Sequence, residues 1–128
     1  MKLAFFDLDG TLRTTKSGEI CPTYPKDQVL LMDALLRLED YKSKGWICIG
    51  VSNQGGCDAI SPDTGIPYKT RQQTVAEMRY FLRICPAIDR VYFCPNLGEG
   101  DEIYVVKRPW WFPWLTVEHE FSGMGDKY

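Results

Sequence analysis

The chain has 128 residues, and its 45% hydrophobic and 25% charged composition is typical of one globular domain with a sizeable core. The formal net charge of -2 leaves no strongly basic surface for duplex nucleic acid or for an anionic membrane. No apolar run approaches the roughly 20 residues of a membrane helix, and the N-terminus does not resemble a signal peptide. We therefore expect a single cytoplasmic domain over residues 1–128, with no membrane partner.

The cysteines and the histidine limit the chemistry that the chain can perform. The five cysteines form no C-x-x-C pair, which favours a reduced protein over a disulfide framework. The one histidine, His119, follows a glutamate in a charged stretch. A Ser–His or Cys–His catalytic pair would have to use that residue, so we do not expect this type of catalysis.

Apolar strands and amphipathic helices alternate along the chain. Residues 2–8 are a continuous apolar run typical of a buried parallel strand, and the polar stretch 13–25 predicts a loop or small flap. Asp27 is positioned to cap a helix that ends before Gly45. Residues 46–53 repeat the strand pattern. This order predicts a first strand–helix–strand unit.

A second unit follows a loop rich in glycine, proline and aspartate. Thr70 and Gln73 have the spacing of a capping box, and apolar residues at helical spacing continue to Pro86. Residues 90–96 predict a third strand, and residues 102–107 predict a fourth extended segment. Strands that alternate with helices predict an α/β fold, in which a mostly parallel sheet carries helices on both faces.

The predicted strands and the last segment end in polar residues that can share one site, because the carboxyl ends of parallel strands lie along one edge of a sheet. These residues are Asp7, Asp9, Ser52, Asn53, Lys107, Arg108 and Asp126. Such groups suit metal-assisted phosphoryl transfer, in which one carboxylate attacks phosphorus and a second moves a proton. A hard cation and a basic side chain then neutralise the phosphoryl oxygens.

The spacing of the first two acids favours two different roles. Asp7 and Asp9 are two residues apart, so both carboxylates point to the same side of an extended strand. Gly10 allows a sharp turn of the backbone directly after them, and Thr11 can support that turn by hydrogen bonding. We place Gly10 and Thr11 among the substrate-binding residues.

Two motifs resemble those of the haloacid dehalogenase (HAD) superfamily, whose members are mostly magnesium-dependent phosphatases. The stretch DLDGTL at residues 7–12 resembles the first motif, and VSNQGG at residues 51–56 resembles the second. The Ser-Asn-Gln form is that of a branch that includes histidinol-phosphate, heptose-bisphosphate and polynucleotide 3′-phosphatases. The resemblance implies a three-layer Rossmann-like fold without a large cap domain.

The resemblance also implies a role for each matching residue. Asp7 would be the nucleophile and a metal ligand. Asp9 would be the general acid and base, and its backbone carbonyl would also reach the metal. Ser52 would hydrogen-bond the phosphoryl oxygens, and Asn53 would shape the substrate pocket.

The third and fourth motifs match less closely. The branch has a lysine directly before a proline, whereas this chain has the sequence VKRPW. Lys107 is therefore preferred as the phosphate-binding cation and Arg108 is the alternative, because only one of two successive strand residues faces the phosphate.

Asp126 resembles the metal-binding aspartate of the fourth motif. The family continues with a further acid, whereas this chain stops at Tyr128, so the domain is a fragment or departs from the family here.

Two further features have alternative explanations. Cys94 stands where two of these branches begin a zinc loop, but zinc needs four nitrogen or sulfur ligands, and only His119 follows. We therefore expect a buried structural cysteine, a magnesium cofactor and no zinc.

The aromatic cluster from Trp110 to Trp114 suits core packing or a contact in a homo-oligomer, and stacking on a base or sugar is the alternative.

Three functions fit these motifs. The preferred one is a magnesium-dependent phosphomonoester hydrolase that acts through an aspartyl-phosphate on a small phosphorylated metabolite. The second is a polynucleotide 3′-phosphatase that processes nucleic-acid ends, which the acidic net charge disfavours. The third is a phosphate-binding or regulatory module without turnover, which the presence of both Asp7 and Asp9 disfavours.

Overall fold

The computed structural model describes residues 1–54, 61–65, 69–95, 102–107 and 116–121. Its strands and helices, in chain order, are β1 (Lys2–Asp7), β2 (Arg13–Thr15), β3 (Gln28–Leu30), α1 (Met32–Ser43), β4 (Trp46–Asn53), α2 (Arg71–Ile84), β5 (Ile88–Cys94), β6 (Glu102–Lys107) and β7 (Thr116–Phe121). β2 and β3 pair antiparallel as a separate two-stranded hairpin. β2 lies in the region predicted as a loop or small flap, whereas β3 lies where the first helix was predicted to begin.

The main sheet is mixed, with the strand order β1–β4–β5–β6–β7. β1, β4 and β5 run parallel, as the two strand–helix–strand units predict. β6 is antiparallel to both of its neighbours, so β7 again runs in the direction of β5. Residues 95–101 join β5 to β6, and a connection this short returns antiparallel, because a parallel crossover needs about a dozen residues or more. Four of the five strands therefore share one direction.

The first helix begins later than the sequence predicted, and the prediction that Asp27 caps it is wrong. Asp27 ends a short 3₁₀ helix, whereas Leu31 occupies the N-cap of α1 without a side-chain hydrogen bond. The Asp27 carboxylate instead accepts hydrogen bonds from the backbone N–H groups and hydroxyls of Ser17 and Thr23. This acid therefore stabilises the loop between β2 and β3.

The predicted capping box at the start of α2 is confirmed. The hydroxyl of Thr70 accepts a hydrogen bond from the backbone N–H of Gln73 at 3.1 Å. The side-chain oxygen of Gln73 in turn accepts a hydrogen bond from the backbone N–H of Thr70 at 2.8 Å. Two backbone donors at the helix N-terminus are thereby satisfied.

One apolar cluster joins both helices to the sheet. Leu38 of α1, Phe81 of α2 and Val91 of β5 are fully buried in it. Because both helices share this cluster, they pack on the same face of the sheet. The opposite face carries Leu3 and Phe5, whose side chains are 42% and 61% exposed. We expected helices on both faces, and in the described part of the chain only one face carries them.

The described helices are also informative about membranes. None of them is both long enough and apolar enough to cross a bilayer.

Candidate active site

Asp7 and Ser52 lie at the same edge of the sheet, at the ends of adjacent strands. Asp7 pairs with Val51 in the parallel register of β1 and β4, so Ser52 is one residue further along β4. Ser52 is 1% exposed, and Asn53, the last residue of β4, is half-buried. The predicted nucleophile and the predicted phosphate-binding hydroxyl therefore both lie at the carboxyl edge of the sheet.

A tight turn follows β1 and brings the second acid into the same region. The carbonyl oxygen of Leu8 accepts hydrogen bonds from the backbone N–H groups of residues 11–13 at 3.2, 2.9 and 3.0 Å. Gly10 adopts a φ of 80°, which glycine reaches without steric cost, and its N–H donates a hydrogen bond of 2.9 Å across the turn. Thr11 supports the turn through its backbone N–H, as the sequence predicted for its position, and its side chain is exposed.

The carboxylate of Asp9 is held from two sides. Arg13 donates from Nε to Oδ1 at 2.9 Å and from Nη2 to Oδ2 at 3.3 Å. Gln54 Nε2 lies 3.5 Å from Oδ2 of the same carboxylate and donates a shorter hydrogen bond, of 2.7 Å, to the hydroxyl of Ser52. Gln54 therefore links the predicted acid to the predicted phosphate-binding hydroxyl. Sequence analysis gave Gln54 no role, although it is the third residue of the Ser-Asn-Gln motif.

Arg13 is a second residue that sequence analysis missed, and its side chain is fully buried. Its Nη1 donates to Oε1 of Gln28 at 2.9 Å. Its Nη2 lies 2.8 Å from Oε2 of Glu77, an ionic contact without hydrogen-bond geometry. Lys69 pairs with the other oxygen of Glu77. The groups Asp9, Arg13, Glu77 and Lys69 alternate in charge, so each buried charge faces an opposite one.

The predicted position of Lys107 beside the carboxylates is wrong. Lys107 pairs with Arg90, near the amino end of β5, whereas Tyr104 is level with Phe93 near its carboxyl end. The prediction assumed a parallel fourth strand, and β6 is antiparallel, so the strand ends at the opposite edge from Asp7.

Several other predicted residues lie outside the residues that the structure describes. These are Arg108, Asp126 and the aromatic cluster from Trp110 to Trp114. Their roles at the site therefore stay predictions.

The cysteines near this edge are suited to packing and not to catalysis. Burial raises the pKa of the Cys21 thiol, and the negative charge of Asp9 raises that pKa further. A thiol with a raised pKa is a weak nucleophile at neutral pH. Cys94 is 2% exposed, as predicted, and its carbonyl oxygen accepts a hydrogen bond from the backbone N–H of Gln54 at 2.9 Å.

The oxygen donors at this edge fit Mg²⁺ as an open site. Mg²⁺ is commonly bound by one or two carboxylates and completes its shell with water and substrate phosphate. The carboxylate of Asp7 and the backbone carbonyl of Asp9 are donors of this type. Among the described residues, no group of three or more histidine, cysteine, aspartate or glutamate side chains that could hold a metal ion occurs.

The comparisons with known proteins agree with this geometry. A family model described as polynucleotide kinase 3 phosphatase matches residues 2–97. The match therefore includes β1 with Asp7, the turn with Asp9, the hairpin, α1, β4 with Ser52, α2 and β5.

Among solved structures, the chain is similar to the D,D-heptose 1.7-bisphosphate phosphatase from B. bronchiseptica, complexed with magnesium and phosphate. The TM-score is 0.57 and the sequence identity 18%, with 77% of this chain and 52% of that chain covered. The chain thus spans about half the length of that structure, and the likeness confirms the predicted α/β, Rossmann-like fold. The residues that the structure describes include no large cap domain. Because the family model covers most of the sequence, the chain belongs to the polynucleotide kinase 3 phosphatase family, and so to the HAD-type phosphatases that its motifs predicted.

Proposed function

We propose that this chain hydrolyses phosphomonoesters through a covalent phosphoaspartate on Asp7. One observation carries the proposal: the end of β1 and the end of β4 bring Asp7 and Ser52 together, while Gln54 links Ser52 to Asp9. The predicted nucleophile, phosphate-binding hydroxyl and proton-carrying acid therefore lie at the same edge of the sheet, which supports the proposal. Membership of a phosphatase family supports the same reaction class.

The proposed reaction has two steps. In the first, a carboxylate oxygen of Asp7 attacks phosphorus and the bond from phosphorus to the ester oxygen breaks, while Asp9 gives that oxygen a proton. In the second, Asp9 removes a proton from water, the water oxygen attacks phosphorus, and Asp7 is released with inorganic phosphate. Ser52 accepts its 2.7 Å hydrogen bond from Gln54, so its own O–H can donate to a phosphoryl oxygen in both steps.

The proposed cofactor is Mg²⁺, held by the Asp7 carboxylate and the Asp9 carbonyl, with Asp126 as the further ligand implied by the family motif. When bound, it would neutralise charge on the phosphoryl oxygens. The Asp9 carboxylate is hydrogen-bonded to Arg13, which leaves the backbone carbonyl of Asp9 as the more suitable donor from that residue.

A small phosphorylated metabolite is the proposed substrate. Among the described residues beside the site, the cations Arg13 and Lys69 share Glu77, and Arg13 also pairs with Asp9, so the two positive charges face two negative ones and leave little net charge to attract a polyanion. A 3′-phosphorylated nucleic-acid end is the second candidate, and the description of the matching family model supports it.

A substrate panel separates these two candidates. It contains p-nitrophenyl phosphate, glycerol 2-phosphate and one oligonucleotide carrying a 3′-phosphate, with the same oligonucleotide carrying a 5′-phosphate as the matched control. We expect the small esters to have the higher kcat/KM. A preference of about tenfold or more for the 3′-phosphorylated oligonucleotide over both small esters and over its control would favour nucleic-acid end processing.

The reaction itself is tested by Asp7→Asn, which keeps the shape of the side chain and removes its attacking charge. We expect turnover of p-nitrophenyl phosphate to fall by several orders of magnitude, because the loss of a nucleophile commonly has this effect. Asp33→Asn, at an exposed acid in the first turn of α1, is the matched control. Full activity of the Asp7 variant, or of the wild type in excess EDTA, would contradict the proposal.

The proposed role of Asp9 is tested by comparing leaving groups. p-Nitrophenolate departs without a proton, whereas the alkoxide of glycerol 2-phosphate needs one. Asp9→Asn should therefore lower kcat/KM more for glycerol 2-phosphate than for p-nitrophenyl phosphate. The ratio of the two values cancels errors in active-enzyme concentration, and an unchanged ratio would remove Asp9 from the mechanism.

A further inference from the structure

We propose that Arg13 is a positioning residue that anchors one oxygen of Asp9 and leaves the other to carry the proton. This inference rests on the proposed phosphatase function. Nε of Arg13 lies 2.9 Å from Oδ1 of Asp9, whereas the contacts of Oδ2 with described residues are longer, at 3.3 Å to Arg13 and 3.5 Å to Gln54. The two oxygens of one carboxylate are therefore held unequally.

The surroundings of Arg13 make it a rigid anchor. Its side chain is fully buried and lies 5.9 Å from the ring centre of Phe81. Gln28 accepts a hydrogen bond from Nη1 of Arg13, and the carboxylate oxygen Oε2 of Glu77 lies 2.8 Å from its Nη2. The amide nitrogen of Gln28 is itself fixed by the carbonyl oxygens of Pro25 and Glu77, at 2.9 and 2.8 Å. Contacts from the hairpin and from α2 thus fix the position of the guanidinium independently of its contact with Asp9.

Because Arg13 holds Oδ1 of Asp9 more closely than Oδ2, we infer that Oδ2 is the atom that carries the proton. A guanidinium has only donors, so a proton placed on Oδ1 would face the N–H of Arg13. Oδ2 is more weakly held, and the Asp9 side chain keeps 19% of its surface exposed. A general acid must lie within hydrogen-bond reach of the oxygen that it protonates, and a displacement of about 1 Å can cost about a hundredfold in rate.

A structural role for Arg13 is the competing explanation. Arg13 also closes the turn after β1 through its backbone and joins the hairpin to α2. If that were its whole contribution, its replacement would slow the hydrolysis of all phosphate esters by the same factor. A role through Asp9 predicts a larger loss for esters whose leaving group needs a proton.

The main test variant is Arg13→Lys. Lysine keeps the positive charge that faces Glu77, but it lacks the planar guanidinium whose Nε anchors Oδ1 of Asp9. We expect the ratio of kcat/KM for p-nitrophenyl phosphate to that for glycerol 2-phosphate to rise about tenfold or more. Arg90→Gln is the matched control, because Arg90 pairs with Asp89 at 2.7 Å near the amino end of β5, and it should leave the ratio unchanged.

A double variant shows whether Arg13 acts through Asp9. In the Asp9→Asn background, Arg13→Lys should produce no further change in the ratio, because the acid is already absent. An unchanged ratio in the single Arg13 variant, or a further rise in the double variant, would overturn the inference.

The failure of the inference is distinguishable from the failure of the proposed function. An inactive wild type would reject the proposed function, whereas an Asp9→Asn variant with an unchanged ratio would reject the role of Asp9 on which the inference rests. If Arg13→Lys does not fold, Glu77→Gln tests the same anchor from α2, since it removes the charge that faces Arg13 and leaves the arginine in place. It should shift the ratio in the same direction, and an unchanged ratio there would also overturn the inference.

Discussion

Gly50, in the middle of β4, has no room for a methyl group, and its substitution tests how the core supports the two acids. A Cβ at this position would lie 2.8 Å from Cδ1 of Leu8 and 3.2 Å from Cγ2 of Val91. Carbon atoms in ordinary contact are about 3.5–4.0 Å apart, so Gly50→Ala requires a movement of roughly 0.7 Å or more at Leu8. Leu8 is fully buried, and we expect this overpacking to lower the free energy of unfolding by about 1–3 kcal/mol.

The same substitution should affect catalysis, because Leu8 lies between Asp7 and Asp9 in the sequence. A displacement that reaches either carboxylate can lower kcat by up to about a hundredfold. We would measure kcat for p-nitrophenyl phosphate in the folded Gly50→Ala variant. A wild-type kcat would refute the link between the packing of Leu8 and the position of the acids.

Urea denaturation of a double-mutant cycle checks the clash directly. Leu8→Ala alone should cost about 2–5 kcal/mol, because it leaves a cavity in the core. With Gly50→Ala also present, the methyl group no longer meets Cδ1, so the two losses should fall short of additivity by about 1 kcal/mol or more. Losses that add within about 0.5 kcal/mol would show that Leu8 is not the group displaced.

Three further predictions concern stability, each measured by urea denaturation. Burial raises the pKa of Asp27, but hydrogen bonds from Thr23 and Ser17 outweigh it and lower the pKa from 3.8 to about 2. The stability from this carboxylate is therefore complete above about pH 4 and is lost as the pH falls towards about 2, and Asp27→Asn should lack this dependence. Thr70→Ala should cost about 1 kcal/mol by removing the α2 cap, and a cost near zero would contradict the capping box. Lys44→Ala should cost less than about 1 kcal/mol, because its ion pair with Asp40 is exposed, and a larger loss would contradict this reasoning.

The elements with strong local signals could be predicted from the sequence. The strand over residues 46–53 and the capping box at Thr70 depend on patterns within a few residues, and the structure has both. Asp27 was misassigned because an aspartate before an apolar stretch fits a helix cap and a loop acceptor equally well. Which one forms depends on Ser17 and Thr23, the partners that the folded loop brings to the carboxylate.

The site was predictable only where the sheet is parallel. Asp7 and Ser52 lie at the ends of parallel strands and Asp9 follows the first of them, so the rule of a shared carboxyl edge agrees with their positions, while their roles stay predictions. Lys107 was misplaced because the direction of β6 is set by the length of its connection to β5, a signal that was present in the spacing and was not used. Arg13 could not be found in this way, because its partner Glu77 is distant in sequence and only the packing of the hairpin on α2 joins them.

The pairing of Arg13 with Glu77 has a consequence for the evolution of this family. A buried charge that loses its partner is strongly destabilising, whereas the exchange of a whole ion pair for apolar residues can be neutral. A change at position 13 alone, or at position 77 alone, should therefore be selected against, while a joint change can persist. Among related sequences we expect these two positions to covary, and relatives without the arginine should hold their counterpart of Asp9 by a different donor.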